Sequence, residues 1–211
     1  QAEMTMNNGR AVFNSGTFGI AGTAGTQKIT YQVTYGGNTF YVDQTVTLSA
    51  GLPAKIAITT QPANTISRTA FTTAPVANIQ DAYGNRVLTS TASIKADLAY
   101  NSSTAANISL VPSLTGVTQA VGAGTAISTF TGGSALSYES AGTYKIRFSY
   151  VAESGSDTAV VTPALSNSFT VAAADPAKVA FTTNPSNVAS RGAFATTPVL
   201  TVQDANGNSV I

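Results

Sequence analysis

The chain has 211 residues and a formal net charge of +1, with only 9% charged side chains against roughly 25% in an average soluble protein. Lys and Arg are scattered singly, so no basic stripe exists to neutralise phosphates, and nucleic-acid binding is excluded. The absence of Cys and His removes disulfide scaffolds, thiol catalysis, thiolate zinc and every Ser-His or Cys-His pair, while 43% hydrophobic residues suffice for a packed core.

The first fifty residues carry strand signals. Asn7-Asn8-Gly9 is a turn signal, and the β-prone run Arg10-Ala-Val-Phe13 after it predicts a strand. Gly22 to Thr26 reads as a loop. Lys28 to Tyr35 then alternates, with Ile29, Tyr31, Val33 and Tyr35 on one face and Lys28, Thr30, Gln32 and Thr34 on the other. Gly36-Gly37-Asn38 predicts a hairpin turn, and Val42 to Leu48 a returning strand.

The stretch Pro53 to Leu88 opens Pro-Ala-Lys-Ile and returns without a gap as Pro176 to Ile211, with Lys55 mapping to Lys178, 123 residues on. Pro62 and Pro185, Arg68 and Arg191, Phe71 and Phe194, Asp81 and Asp204, Asn85 and Asn208 all coincide. A match of this quality is one supersecondary unit copied in tandem. A second correspondence links Ala24-Gly-Thr-Gln-Lys28 to Ala141-Gly-Thr-Tyr-Lys145, 117 residues on, and a third links Gln44-Thr-Val-Thr-Leu48 to Asn167-Ser-Phe-Thr-Val171. The expected organisation is therefore residues 1–50 as the C-terminal part of one repeat, 51–173 as a complete repeat, and 174–211 as the N-terminal part of the next.

Within the complete repeat, strands are expected at Lys55–Thr59, Pro75–Gln80, Ser93–Leu98, Ala126–Phe130, Tyr144–Tyr150 and Phe169–Ala173. Pro62 ends the first, because proline cannot donate to a ladder. Asp81-Ala-Tyr-Gly84-Asn85 is a turn in which Asp caps its own backbone and Gly supplies positive φ. No apolar stripe with helical period is present. Short strands punctuated about every 8 to 12 residues indicate antiparallel sandwiches. The junctions Ser49-Ala-Gly-Leu-Pro53 and Ala172-Ala-Ala-Asp-Pro176 are too short for free jointing.

Lys55-Ile-Ala-Ile-Thr-Thr-Gln-Pro62, Phe71-Thr-Thr-Ala-Pro-Val76, the Gln-Asp-x-x-Gly-Asn turns ending at Asn85 and Asn208, and Ala141-Gly-Thr-Tyr144 carry a resemblance. Nearly the whole chain resembles bacterial immunoglobulin-like tandem repeats, such as those of invasin- and intimin-like adhesins and very large prokaryotic surface proteins. The resemblance implies an all-β fold of tandem Ig-like antiparallel β-sandwich domains, an extracellular, cell-surface location, and no active site. The repeat departs from the usual unit of roughly 90 to 100 residues; the extra length is expected between Leu88 and Gly124.

Calcium is the one ion the polar residues suggest: Asp81 with Asn85, and Asp204 with Asn208, supply hard oxygens at a junction, and Asp175 is a further carboxylate there. The competing reading is that these residues only hold tight turns. Arg68 and Arg191 are candidates for a neighbouring domain or an acidic ligand, against a solvated loop charge. Tyr31, Tyr35, Phe40, Tyr144, Phe148 and Tyr150 are expected in the sandwich core, the alternative being a glycan platform. Asn101-Ser-Ser103 and Asn107-Ile-Ser109 match the glycosylation acceptor pattern. Glu3, Glu139 and Glu153 fall in no recognisable catalytic motif.

The composition, low in charge and rich in Thr, Ser and Gly, points to export from a prokaryote. No apolar run reaches the roughly 20 residues of a membrane helix, and no leader peptide is legible. The expected function is structural and adhesive rather than enzymatic: a section of an array forming a stalk, surface layer or extracellular filament. Its partners would be adjacent repeats, neighbouring copies of itself, or host or cell-surface glycans. The competing class is an accessory binding module of a secreted carbohydrate-active enzyme or phage fibre. The end segments carry complementary halves of a sandwich. They read either as a window on a longer chain or as halves completed by an adjacent subunit.

Overall fold

A computed structural model of the chain describes residue 4 and residues 6–13, 19–100, 117–122, 124–130, 138–152 and 160–211. The two glycosylation patterns, Glu3 and Glu153 lie outside these residues, as does much of the expected insertion. Among the described residues every regular element is a strand and none is a helix, so none contains a helix long and apolar enough to cross a membrane.

β1 (Gly25–Tyr35) and β2 (Asn38–Leu48) form an antiparallel hairpin running in continuous register from Tyr35↔Asn38 to Gly25↔Leu48. Its two-residue turn places Gly36 at φ 57° and Gly37 at φ 80°. Positive φ at both central positions gives the turn the right-handed twist of the strands it joins, and glycine reaches it without a Cβ clash.

Residues 55–172 contribute two facing sheets. The smaller holds β3 (Lys55–Thr60), β5 (Val76–Gln80) and β8 (Ile127–Thr129), antiparallel and in that order. The larger runs β4 (Thr65–Ile66), β11 (Phe169–Ala172), β9 (Gly142–Val151), β6 (Ser93–Tyr100), β7 (Val117–Ala120). β10 (Ala164–Leu165) also pairs with β9, and the short β4–β11 contact is parallel. Strand alternation supplies the core. Ile56, Ala77 and Ile79 of the smaller sheet share one buried cluster with Ile94, Ala96, Leu98, Tyr144, Ile146, Phe148, Phe169 and Val171 of the larger. Phe130 packs on Phe148 at 5.2 Å and Phe71 meets Phe169 edge-on at 5.1 Å. The architecture is all-β and sandwich-like. On the outer face of the larger sheet, Asp97 is buried between Lys95 Nζ at 2.8 Å and Arg147 Nη2 at 3.2 Å.

β12 (Lys178–Thr183) and β13 (Val199–Gln203) repeat the register of β3 and β5, down to the irregularity between Phe181 and Thr183 that matches the one between Ile58 and Thr60. The burial does not repeat. Ile79 is fully buried, whereas its counterpart Val202 is 46% exposed. The aromatic expectation divides in the same way. Tyr144 and Phe148 are core, but Tyr35 is 81% and Phe40 58% exposed, because among the described residues no facing sheet covers β1 and β2. The strand expected over Arg10–Phe13 does not form; an isolated bridge, Asn7↔Arg10, closes the turn at Asn8-Gly9 instead. Counting back 117 residues, Arg10 to Val12 correspond to β8, whose partner is β5, and no described strand pairs with them here. The correspondence itself is real. Phe13 and Tyr31 stack at 5.5 Å and 58°, as Phe130 and Phe148 do at 5.2 Å and 55°, each ring 117 positions earlier.

Candidate functional site

The Asp-x-x-Gly-Asn turns are where consecutive segments meet. After β5, Asp81 N–H donates to Asn85 O and Gly84 N–H to Asp81 O, with Gly84 at φ 88°. The Asp81 carboxylate is filled by N–H donors. Oδ1 accepts from the backbones of Tyr83 and Asn85, both at 2.9 Å. Oδ2 accepts from the linker N–H of Gly51 and from Asn85 Nδ2, both at 2.9 Å. A carboxylate offers about four acceptor positions, and all four are taken. The linker leaving β2 is thus fastened to the turn of the following unit.

Asn85 reaches back across the junction. Its Oδ1 accepts the Ala24 N–H at 2.7 Å and its Nδ2 donates to Gly22 O at 2.8 Å. One amide meets a donor and an acceptor on the segment leading into β1, as an added strand residue would. These two partners fix which way the amide faces.

The second junction repeats the arrangement atom for atom. Asp204 Oδ1 accepts from the backbones of Asn206 at 2.8 Å and Asn208 at 2.9 Å, and Oδ2 from the linker N–H of Ala174 at 3.0 Å and Asn208 Nδ2 at 2.7 Å. Asn208 Oδ1 accepts the Ala141 N–H at 2.7 Å, and its Nδ2 donates to Glu139 O at 2.6 Å. Gly51 and Ala174 are 123 positions apart, and Gly22/Ala24 and Glu139/Ala141 are 117 apart, the two spacings found in the sequence. The four residues singled out as calcium candidates therefore occupy two joints. Every acceptor position of both carboxylates faces an N–H donor, and among the described residues no three acidic side chains converge.

The receiving segment is itself braced. Tyr144 Oη donates to Ser140 O at 3.1 Å, and Gly142 makes room for it, since a Cβ there would lie 3.0 Å from that oxygen. In the first segment Gln27 Nε2 stands in, donating to Thr23 O at 2.8 Å. Ser67 Oγ donates to Glu139 O at 2.7 Å and accepts from Asn206 Nδ2 at 2.8 Å. Arg68 follows in the left-handed region at φ 60°, its N–H on Tyr138 O and its guanidinium 3.6 Å from Glu139. Arg68 thus bonds within its own unit, and the neighbour is met by Ser67. Arg191 keeps the same backbone at φ 64°. At the first joint the position of Asn206 is taken by Tyr83, which is 64% exposed.

The electrostatics follow from the donors. Hydrogen bonds from the Asn85 side chain, the Gly51 N–H and the turn backbone outweigh burial and bring the Asp81 carboxyl down to about 2. For Asp204 burial is the largest influence and pushes upward. The bonds from Asn208, Ala174 and Asn206 together exceed it and also bring that carboxyl to about 2. Both side chains are charged at neutral pH, where an anion best holds converging N–H dipoles.

Sequence reading placed the turns at the junctions but not their bonds to the preceding unit, because those partners lie 61 to 69 residues upstream. The signal that could have found the sites was the combination of the two spacings. A scan against family models matches none, and a search of curated proteins returns no match.

Proposed function

We propose that the chain is a section of a tandem array of Ig-like antiparallel β-sandwich units, divided at 1–50, 51–173 and 174–211, and that the array is a structural and adhesive element of a prokaryotic cell surface. It would serve as a stalk, surface layer or extracellular filament. The observation that carries this reading is the repeated joint. The same carboxylate clamps the linker and the same amide grips the preceding unit at both junctions. Two identical joints favour a series of units held at one set angle over domains tethered by free linkers. The Tyr144 hydroxyl bonding to backbone four residues upstream resembles the tyrosine corner of Ig-type sandwiches and supports the family reading. The function is mechanical: it uses no catalytic residue and no cofactor, and its partners are adjacent repeats and neighbouring copies.

Small-angle scattering of the chain and of an Asn85→Ala/Asn208→Ala variant tests this, together with immunogold labelling of the source cells. The expected result is one fixed maximum dimension for the chain, a broadened distribution for the variant, and label outside the envelope. A profile equally broad in both proteins, or label in the cell interior, would overturn it.

One observation favours a second reading. Tyr35, Phe40 and Tyr41 are exposed on the β1–β2 hairpin, and exposed rings stack on sugars, as in an accessory module of a secreted carbohydrate-active enzyme or phage fibre. Retention on immobilised polysaccharide that Tyr35→Ala abolishes would select that reading.

A further inference from the structure

Asn206 holds the position at the second joint that Tyr83 holds at the first, and a glycine follows each of them. The Asn206 backbone N–H donates to Asp204 Oδ1 at 2.8 Å, and its Nδ2 crosses the joint to Ser67 Oγ at 2.8 Å. Gly207 lies at φ 91°, with its N–H on Asp204 O at 3.2 Å. Asparagine before glycine is a chemically fragile pair, because no Cβ on the glycine shields its nitrogen from the neighbouring amide carbon.

We infer that Asn206 is a modification site, where spontaneous deamidation gives the second joint a finite lifetime that the first does not share. The inference rests on the reading of this contact as a joint between units. The Gly207 nitrogen gives its proton to solvent and bonds to Asn206 Cγ. The Cγ–Nδ2 bond breaks, and the nitrogen takes a proton from water and leaves as ammonia. Water then opens the cyclic imide at either carbonyl, leaving aspartate or isoaspartate at position 206. Water is the co-reactant throughout. Closing the imide draws Cγ onto the Gly207 nitrogen, so Nδ2 must first leave Ser67. The bond across the joint thus slows the reaction that destroys it.

Both products damage the joint. Ser67 has a single hydroxyl hydrogen, and it lies on Glu139 O at 2.7 Å. The hydroxyl can accept from an amide, but giving its hydrogen to a carboxylate would strip it from Glu139 O. Aspartate at position 206 therefore loses the bond to Ser67 and sets a second negative charge beside Asp204. Isoaspartate also adds a backbone carbon before Gly207, which moves the Asn208 N–H off Asp204 Oδ1. Asn208 then loses the turn from which it holds Ala141 and Glu139. Neither product returns to asparagine. Tyr83 has no amide, so the first joint, built from the same clamp bonds, escapes this chemistry.

The test is to age the folded chain in neutral buffer for as long as a urea-unfolded sample takes to convert at position 206. Peptide mass spectrometry reads the conversion, and amide exchange at Ala141 and Ala174 reads the joint. The expected result is aspartate and isoaspartate at position 206, faster exchange at both amides in proportion to conversion, and unchanged exchange at Gly51. Ser67→Ala should speed the conversion by about fivefold, the factor that one neutral hydrogen bond supplies. It should leave Asn8–Gly9, the other copy of the dipeptide, unaffected. A fresh Asn206→Asp chain should show the faster exchange without ageing. Intact asparagine at position 206 of the folded chain, or conversion with no change at Ala141 and Ala174, would overturn the inference. Asn208→Ala separates the two levels of failure. If it opens Ala141 to exchange while ageing does not, only the finite lifetime is lost. If it leaves Ala141 slow as well, the joint itself is wrong and both readings fall.

Discussion

β3–β5 and β12–β13 are the same sequence element folded with and without a facing sheet. Their registers coincide, their irregularities fall at matching positions, and both lead into the same turn with glycine at φ 88° and 91°. Burial separates them: Ala77 is fully buried and Leu200 is 57% exposed, Phe71 is 8% exposed and Phe194 49%. Strand, register and turn are thus set by local sequence and by the hairpin-like pairing. The core is a property of the partner sheet, and an apolar residue at a core position becomes a surface residue where that sheet is missing.

The largest test of this contrast is a matched pair of truncations. Phe148→Ala should cost about 3–5 kcal/mol of unfolding free energy, because it empties the centre of a packed core. Tyr31→Ala, at the corresponding position of the first segment, should cost about 1 kcal/mol or less. Denaturant unfolding at concentrations where the chain is monomeric measures both, and equal costs would mean that the first segment is covered after all.

The joints are a second place where the copies can be told apart. Asn208→Ala should weaken its joint by about 1–3 kcal/mol, since it leaves the Ala141 N–H without its acceptor and Glu139 O with the Ser67 hydroxyl alone. Amide exchange should accelerate at Ala141 and Ala174 and stay slow in β6 and β9. Acid should act on both joints together. A carboxyl whose folded value lies below its ordinary one contributes stability that is present above the ordinary value and lost as pH falls through the folded one. The Asp81 and Asp204 clamps should therefore hold at neutral pH and open between about pH 4 and 2, read as accelerating exchange at Gly51 and Ala174.

Smaller effects distinguish one joint from the other. Asn206→Ala removes a bond to Ser67 and should cost about 1 kcal/mol, whereas Tyr83→Ala at the first joint should fall within about 0.5 kcal/mol of zero. Millimolar calcium should leave the melting temperature unchanged, because the acceptors of both carboxylates are already occupied by N–H groups. A rise on adding calcium, reversed by chelator, would show that a cation displaces those donors.

The long strands were legible. β1 alternates over Lys28–Tyr35 and β9 over Tyr144–Tyr150, and the two-glycine hairpin and the Asp-x-x-Gly-Asn turns have local chemistry that dictates them. β4, β7 and β10 were not, being two to four residues long and created by pairing with β11, β6 and β9 rather than by their own sequence. Arg10–Phe13 shows the converse, a run with strand propensity that joins no sheet among the described residues. At the candidate site, Asp81 and Asn85 were visible as turn residues because their mutual bonds span four positions. Their grip on Gly22 and Ala24 depends on chain path, which no local pattern encodes. The Phe13–Tyr31 pair escaped notice because identity between residues 4–23 and 121–140 is sparse, although the ring spacing was present.

Across each joint the amide takes hold of one main-chain N–H and one main-chain carbonyl, and only at the second does it also reach a side chain, Ser67 Oγ at 3.3 Å. Gly22, Thr23 and Ala24 receive Asn85 as Glu139, Ser140 and Ala141 receive Asn208, with different side chains and the same two bonds. A coupling written in peptide groups places no demand on the identity of the residues it grips. Residues 22–24 and 139–141 can therefore change their side chains without loss of the joint, provided the aspartate, the glycine and the asparagine of the turn are kept.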